Sequence, residues 1–171
     1  MKKILAAALF MVFLSGAAWA THELSLKVGF VLNRGDEATY SWLLIQESNY
    51  YIQDFISFGY ETQFSYYKAD TDDSGKGMTS MYPLNVFLNT KIKILRKGAI
   101  RPYAGAGFGL YSSVKTYPDH YGWDKALATQ VMAGVSIGMG QKAAFQIEIK
   151  MMGTDMPGFK TKFILAAGMS Y

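Results

Sequence analysis

Residues 159–171 read FKTKFILAAGMSY. Alternate positions are Phe159, Thr161, Phe163, Leu165, Ala167, Met169 and Tyr171. Between them lie Lys160, Lys162, Ile164, Ala166, Gly168 and Ser170. The first set is largely apolar and the second mostly small or polar. That period of two is the signature of a β-strand, whose successive side chains point to opposite faces. The strand ends on an aromatic residue.

The same alternation recurs along the chain. Residues 23–33 place Leu24, Leu26, Val28, Phe30 and Leu32 on one face, and Ser25, Lys27, Gly29, Val31 and Asn33 on the other. Residues 54–68 place Ile56, Phe58, Tyr60, Thr62, Phe64 and Tyr66 against Ser57, Gly59, Glu61, Gln63 and Ser65. Residues 82–95 set Leu84, Val86, Leu88 and Ile92 against Asn85, Phe87, Asn89, Lys91 and Lys93. In residues 101–112 Ala104, Ala106, Phe108 and Leu110 oppose Tyr103, Gly105, Gly107, Gly109 and Tyr111. Residues 125–139 put Leu127, Val131, Val135 and Ile137 outward, with Gln130, Gly134 and Ser136 inward. Residues 143–152 put Phe145, Ile147, Ile149 and Met151 outward, with Gln146, Glu148, Lys150 and Met152 inward.

The connections alternate in length. GTDMPG, tight GQK, long KTYPDHYGW, tight RKGAI and long ADTDDSGKG follow one another back from the last strand. Spanning barrels have short turns on the periplasmic side and longer loops outside, so this parity puts the C-terminus in the periplasm. It also makes the strands at 23–33 and 54–68 run the same way, which requires a strand between them. Residues 39–47, TYSWLLIQE, are the candidate, although their alternation is poor. Accepting it predicts an all-β, eight-stranded, antiparallel up-and-down transmembrane β-barrel with both termini periplasmic.

The N-terminus agrees with export. Lys2 and Lys3 precede an apolar run at 4–14 and an A-x-A site at Ala18-Trp19-Ala20. The run is shorter than the roughly 20 residues that span a bilayer, so residues 1–20 read as a cleaved signal peptide. The barrel domain then covers residues 21–171. Of the 17 basic and 13 acidic residues, the signal carries Lys2 and Lys3, leaving 15 against 13. So small an excess gives no argument for nucleic acid. Cysteine is absent, so disulfides and thiolate chemistry are excluded. The 12 Tyr and 11 Phe suit strands and interfacial girdles.

The segment YPLNVFLNTKIKILRKGAIRPYAGAGFGLY, with SFGYE before it and the aromatic end, resembles the small bacterial outer-membrane β-barrel superfamily. That group holds OmpA-, OmpX- and OmpW-like domains and porin-like members. The resemblance implies location in the outer membrane of a Gram-negative bacterium. It implies contact with outer-membrane lipid and lipopolysaccharide, and handling by the barrel assembly machinery. Tyr171 is then expected to act as an assembly signal. An OmpA-type peptidoglycan tether is not expected. The inward glycines at 105, 107 and 109 make room for large interior side chains. They do not form a dinucleotide fingerprint, because Leu110 stands where a third glycine is needed.

Candidate chemistry is sparse. His120, Asp73 and Ser74 can be drawn as a triad, but Gly122 stands where barrel deacylases carry their Ser, so a solvated loop His is the preferred reading. Asp70, Asp72 and Asp73 lack the closing Glu of a Ca²⁺ loop. No cofactor or metal site is expected. The more specific set is polar and inward: Lys27, Glu61, Gln63, Gln130, Gln146, Glu148 and Lys150. Buried carboxylates at Glu61 and Glu148 need partners, and Lys27 and Lys150 are available. Lys91, Lys93, Lys160 and Lys162 are read as lying near strand ends and reaching solvent. The expectation is a monomeric, non-enzymatic barrel with a plugged lumen and a structural or surface-interaction role. A narrow pore or carrier for small hydrophobic molecules is the alternative, followed by a lipid A-modifying enzyme.

Overall fold

The structure, a computed structural model, describes residues 22–32, 41–53, 55–68, 80–95, 98–139, 142–155 and 161–171. The expected signal peptide and the acidic stretch with Asp70, Asp72, Asp73 and Ser74 lie outside those residues, as does Lys160. Eight strands form: β1 (His22–Leu32), β2 (Trp42–Gln53), β3 (Ile56–Lys68), β4 (Ser80–Lys93), β5 (Ile100–Thr116), β6 (Tyr121–Gly138), β7 (Ala144–Thr154) and β8 (Lys162–Ser170). Each pairs antiparallel with the next, and β8 pairs with β1 to close the barrel. Closure leaves no sheet edge within the wall, so the backbone satisfies its own hydrogen bonds.

The outer face follows the period-two reading. Leu26, Val28 and Phe30 on β1, Leu88 on β4, Phe108 on β5, Ile149 on β7 and Leu165 on β8 all point away from the lumen and are exposed. Soluble monomers rarely show water a contiguous apolar patch larger than about a few hundred Å², so a belt of this kind fits a membrane-facing wall. Aromatic residues cluster toward its margins, including the Trp42–Phe64 and Tyr66–Tyr82 pairs, with ring centroids 6.2 and 5.3 Å apart.

Both described termini lie at one end of the barrel, with the 53–56, 93–100 and 138–144 connections; this is the terminal end. The other is the loop end. At the β1–β8 seam Lys27 pairs with Gly168, where a Cβ would stand 2.0 Å from the Leu26 carbonyl oxygen. Only glycine fits there. On β5, Gly105, Gly107 and Gly109 stand opposite Lys91, Asn89 and Phe87. The strand gives up side chains where its neighbour fills the lumen.

Two boundaries correct the sequence reading. The second strand runs Trp42–Gln53, not 39–47. Leu43 and Ile45 fill the lumen while Leu44 faces outward, so both faces are apolar there and the contrast vanishes. The stretch KTYPDHYGW is also not a long loop. β5 and β6 continue through it to a turn at Pro118 and Asp119, closed by the Tyr117 N–H donating to the His120 carbonyl at 3.0 Å. Cross-strand contacts hold this extension. Lys115 pairs with Asp124 at 2.7 Å, and the Trp123 indole N–H donates to Ser112 Oγ at 2.8 Å.

Candidate functional site

Strand alternation sends a ring of polar side chains into the middle of the lumen. Lys27, Glu47, Glu61, Glu148 and Lys150 are wholly buried, and Lys91 is 6% exposed. Three lysines and three glutamates are thus taken out of water together. Lys27 Nζ donates to Glu47 Oε2 at 2.8 Å and Glu148 Oε1 at 3.1 Å. Lys91 Nζ reaches Glu47 Oε2 at 2.6 Å and Glu148 Oε2 at 3.0 Å. Lys150 Nζ reaches Glu61 Oε2 at 2.5 Å and Glu148 Oε1 at 2.9 Å. Tyr103 adds its hydroxyl to Glu148 Oε2 at 2.9 Å. Glu148 is the hub: it meets all three ammonium groups.

Amides extend the network. Gln63 donates to Glu61 Oε1 at 2.6 Å and to Gln130 Oε1 at 3.0 Å. Gln130 donates to Asn89 Oδ1 at 2.9 Å, and Asn89 returns to Glu61 Oε2 at 2.9 Å. Asn85 donates to Gln63 Oε1 at 3.1 Å. These bonds pair most of the buried groups and balance the charge of the ring, which makes an otherwise costly polar core tolerable. Glu47 Oε1 and Asn85 Oδ1 are left without a partner among the described residues.

The seven interior residues named from the sequence are all buried. Six of them, Lys27, Glu61, Gln63, Gln130, Glu148 and Lys150, meet in this network. Gln146 sits nearer the terminal end, donating to Glu23 Oε1 at 2.6 Å. Lys91 and Lys162 do not reach solvent as expected. Lys91 joins the ionic ring, and Lys162, 6% exposed, donates to the Tyr67 hydroxyl at 3.1 Å. Long stems carry both ammonium groups inward from strand ends. Glu47 is absent from the interior set read from the sequence, because that reading ends the second strand at this residue. Continuing the alternation through Asn49 and Tyr51 would have found it.

Beyond the ionic ring toward the loop end the lumen turns apolar. Leu43, Ile45, Phe87, Tyr111, Ala128, Met152, Ile164 and Ala166 form one buried cluster. On four strands, β2, β4, β6 and β7, an apolar residue lies loop-ward of its polar neighbour: Ile45 of Glu47, Phe87 of Asn89, Ala128 of Gln130, Met152 of Lys150.

His120 lies apart, exposed at the hairpin tip. Its Nδ1 is 2.6 Å from Asp119 Oδ1, and its ring stacks on Tyr117 at 4.4 Å. That hydrogen bond holds the Asp119 carboxyl below the usual carboxylate range. Asp124, on the same hairpin, is engaged by Lys115. Among the described residues the serine bonded to a histidine is Ser48, whose Oγ is 2.5 Å from His22 Nε2. Ser48 is fully buried.

The fold has close counterparts among solved structures. Neisserial surface protein A superposes with a TM-score of 0.71 at 12% identity, over 88% of this chain and 96% of that one. The N-terminal β-barrel domain of Pseudomonas aeruginosa OprF gives 0.63 at 12% identity, over 88% and 96%. A designed transmembrane β-barrel gives 0.52 at 14% identity, over 90% and 97%. No protein-family model matches the sequence, and no curated protein does. The chain therefore has the fold of the small eight-stranded outer-membrane β-barrels. That a designed barrel shares it shows how little the fold alone says about function.

Proposed function

We propose that this chain is an outer-membrane protein with a closed lumen that works through its rim. The loop end faces outside and both termini face the periplasm. The observation that carries this reading is the unequal height of the wall. β6 pairs with β7 only as far as Ala128 and Thr154, yet continues seven residues further, to Tyr121, along β5. Asp155 ends the ladder, accepting from the Leu127 N–H at 2.9 Å. Above it, Tyr121, Trp123 and Lys125 lie on a strand edge beyond the last β7 pair. Tyr121 and Trp123 are 78% and 66% exposed, and Lys125 stacks over the Trp123 ring at 5.0 Å. An edge of this kind offers backbone hydrogen bonds and aromatic surface to a partner. Neisserial surface protein A, a surface protein by name, shares the fold.

The ionic ring and the apolar cluster speak against the pore and carrier readings, since side chains occupy the space a solute would need. Tyr171 supports barrel closure: its backbone exchanges hydrogen bonds with Leu24 at 2.9 and 3.0 Å, while its ring faces outward. Its deletion should lower outer-membrane levels more than Tyr117→Ala. The topology is tested with a tag inserted between Pro118 and Asp119. Labelling on intact cells is expected; labelling only after the outer membrane is permeabilised would reverse the orientation.

A further inference from the structure

On the terminal side of the ionic ring lies a polar cavity of about 10 Å³, lined among others by Glu23, Asn49, Lys91, Lys93, Ser136 and Gln146. Two buried acceptors line it without a partner among the described residues: Gln146 Oε1 and Asn49 Oδ1. Gln146 cannot turn to hide its oxygen, because its Nε2 is held by Glu23 Oε1. On the next rung Glu47 Oε1 and Ser25 Oγ are bare as well, and these two residues stand opposite each other across the β1–β2 pair. The two lysines bonded to Glu47 both bind its other oxygen, Oε2.

Each bare buried acceptor costs about 1–3 kcal/mol unless something donates to it. The donor has to be small, for the cavity is close to the roughly 10–15 Å³ that one water requires. It is not an inorganic cation, because the Lys91 and Lys93 side chains line the same space and repel one. An anion would meet acceptor oxygens. Water donates twice and accepts from an ammonium group, and so matches every partner present. We propose that a bound water bridges Asn49 and Gln146. It is the innermost member of a hydrated vestibule that opens at the terminal end. The vestibule ends at the ionic ring. Beyond it Leu43 and Ile164 belong to the apolar cluster and are expected to be dry, while a further bare acceptor, Asn85 Oδ1, lies beside Met152 and outside the lining of this cavity.

The wild-type barrel, folded in detergent micelles, permits a direct test by magnetisation transfer from water to assigned amides. Transfer is expected at the Gln146 side-chain amide and the Ser136 backbone amide, and not at Leu43 or Ile164. In Gln146→Met, which removes one acceptor, the Ser136 signal should fall. Absence of transfer at both Ser136 and Gln146 in the wild type would overturn the proposal. Equal transfer at Leu43 and Ile164 would overturn it too, since it would mean a lumen wet throughout.

Discussion

The lumen and the raised rim treat polar groups in opposite ways. Inside, three lysines and three glutamates are sealed from water and nearly every charge is met by another. On the rim, β6 runs past its neighbour and exposes Tyr121 and Trp123 along an edge that has no β7 partner among the described residues. A buried network whose ammonium groups are all paired has little charge left to offer a ligand, and its energy goes into stabilising the barrel. An exposed edge contributes little to folding and leaves its bonding capacity for something else. Under the proposed function, the first region supplies stability and the second recognition.

Substitutions should separate the two regions by the size of their effects. Glu148→Ala leaves three buried ammonium groups short of a partner. Loss of one member of a buried pair costs about 3–5 kcal/mol. Urea unfolding of the folded barrel in lipid should show a loss of that order, with Glu148→Gln milder because its amide oxygen still accepts. A Glu148→Ala barrel as stable as the wild type would break the assignment of stability to the lumen. Gln130→Ala comes next. It leaves Asn89 Oδ1 without its donor and Gln63 without one acceptor, and each group stranded in this way costs about 1–3 kcal/mol. The same unfolding assay measures it.

Trp123→Ala should do least. It removes one exposed hydrogen bond and the Lys125 contact over the ring, each worth about 0.5–1 kcal/mol, and should shift the unfolding midpoint far less than Glu148→Ala. A loss as large as that of Glu148→Ala would make the raised hairpin part of the folding core and erase the contrast.

Much of the inside was legible from the sequence, because period two decides which residues enter a lumen. Lys27, Glu61, Glu148 and Lys150 needed only that rule. Glu47 escaped it for a physical reason: Leu43, Leu44 and Ile45 are apolar on both faces, one toward lipid and two toward the apolar cluster. Lys91 sat on the correct face, but the reach of its stem was underestimated. The rim was hardest to read. Pro118, Asp119 and Gly122 look like loop composition, and nothing local announces that Lys115 and Asp124, or Trp123 and Ser112, meet across a continuing hairpin. Register, not composition, makes that segment a strand.

Single-channel recording tests most directly the claim that the lumen is closed. The wild-type barrel in planar bilayers should show no steady conductance, because the ionic ring and the apolar cluster fill its cross-section. Large, stable openings in the wild type, unchanged in Glu148→Ala and Glu148→Gln, would contradict it and make the barrel a pore.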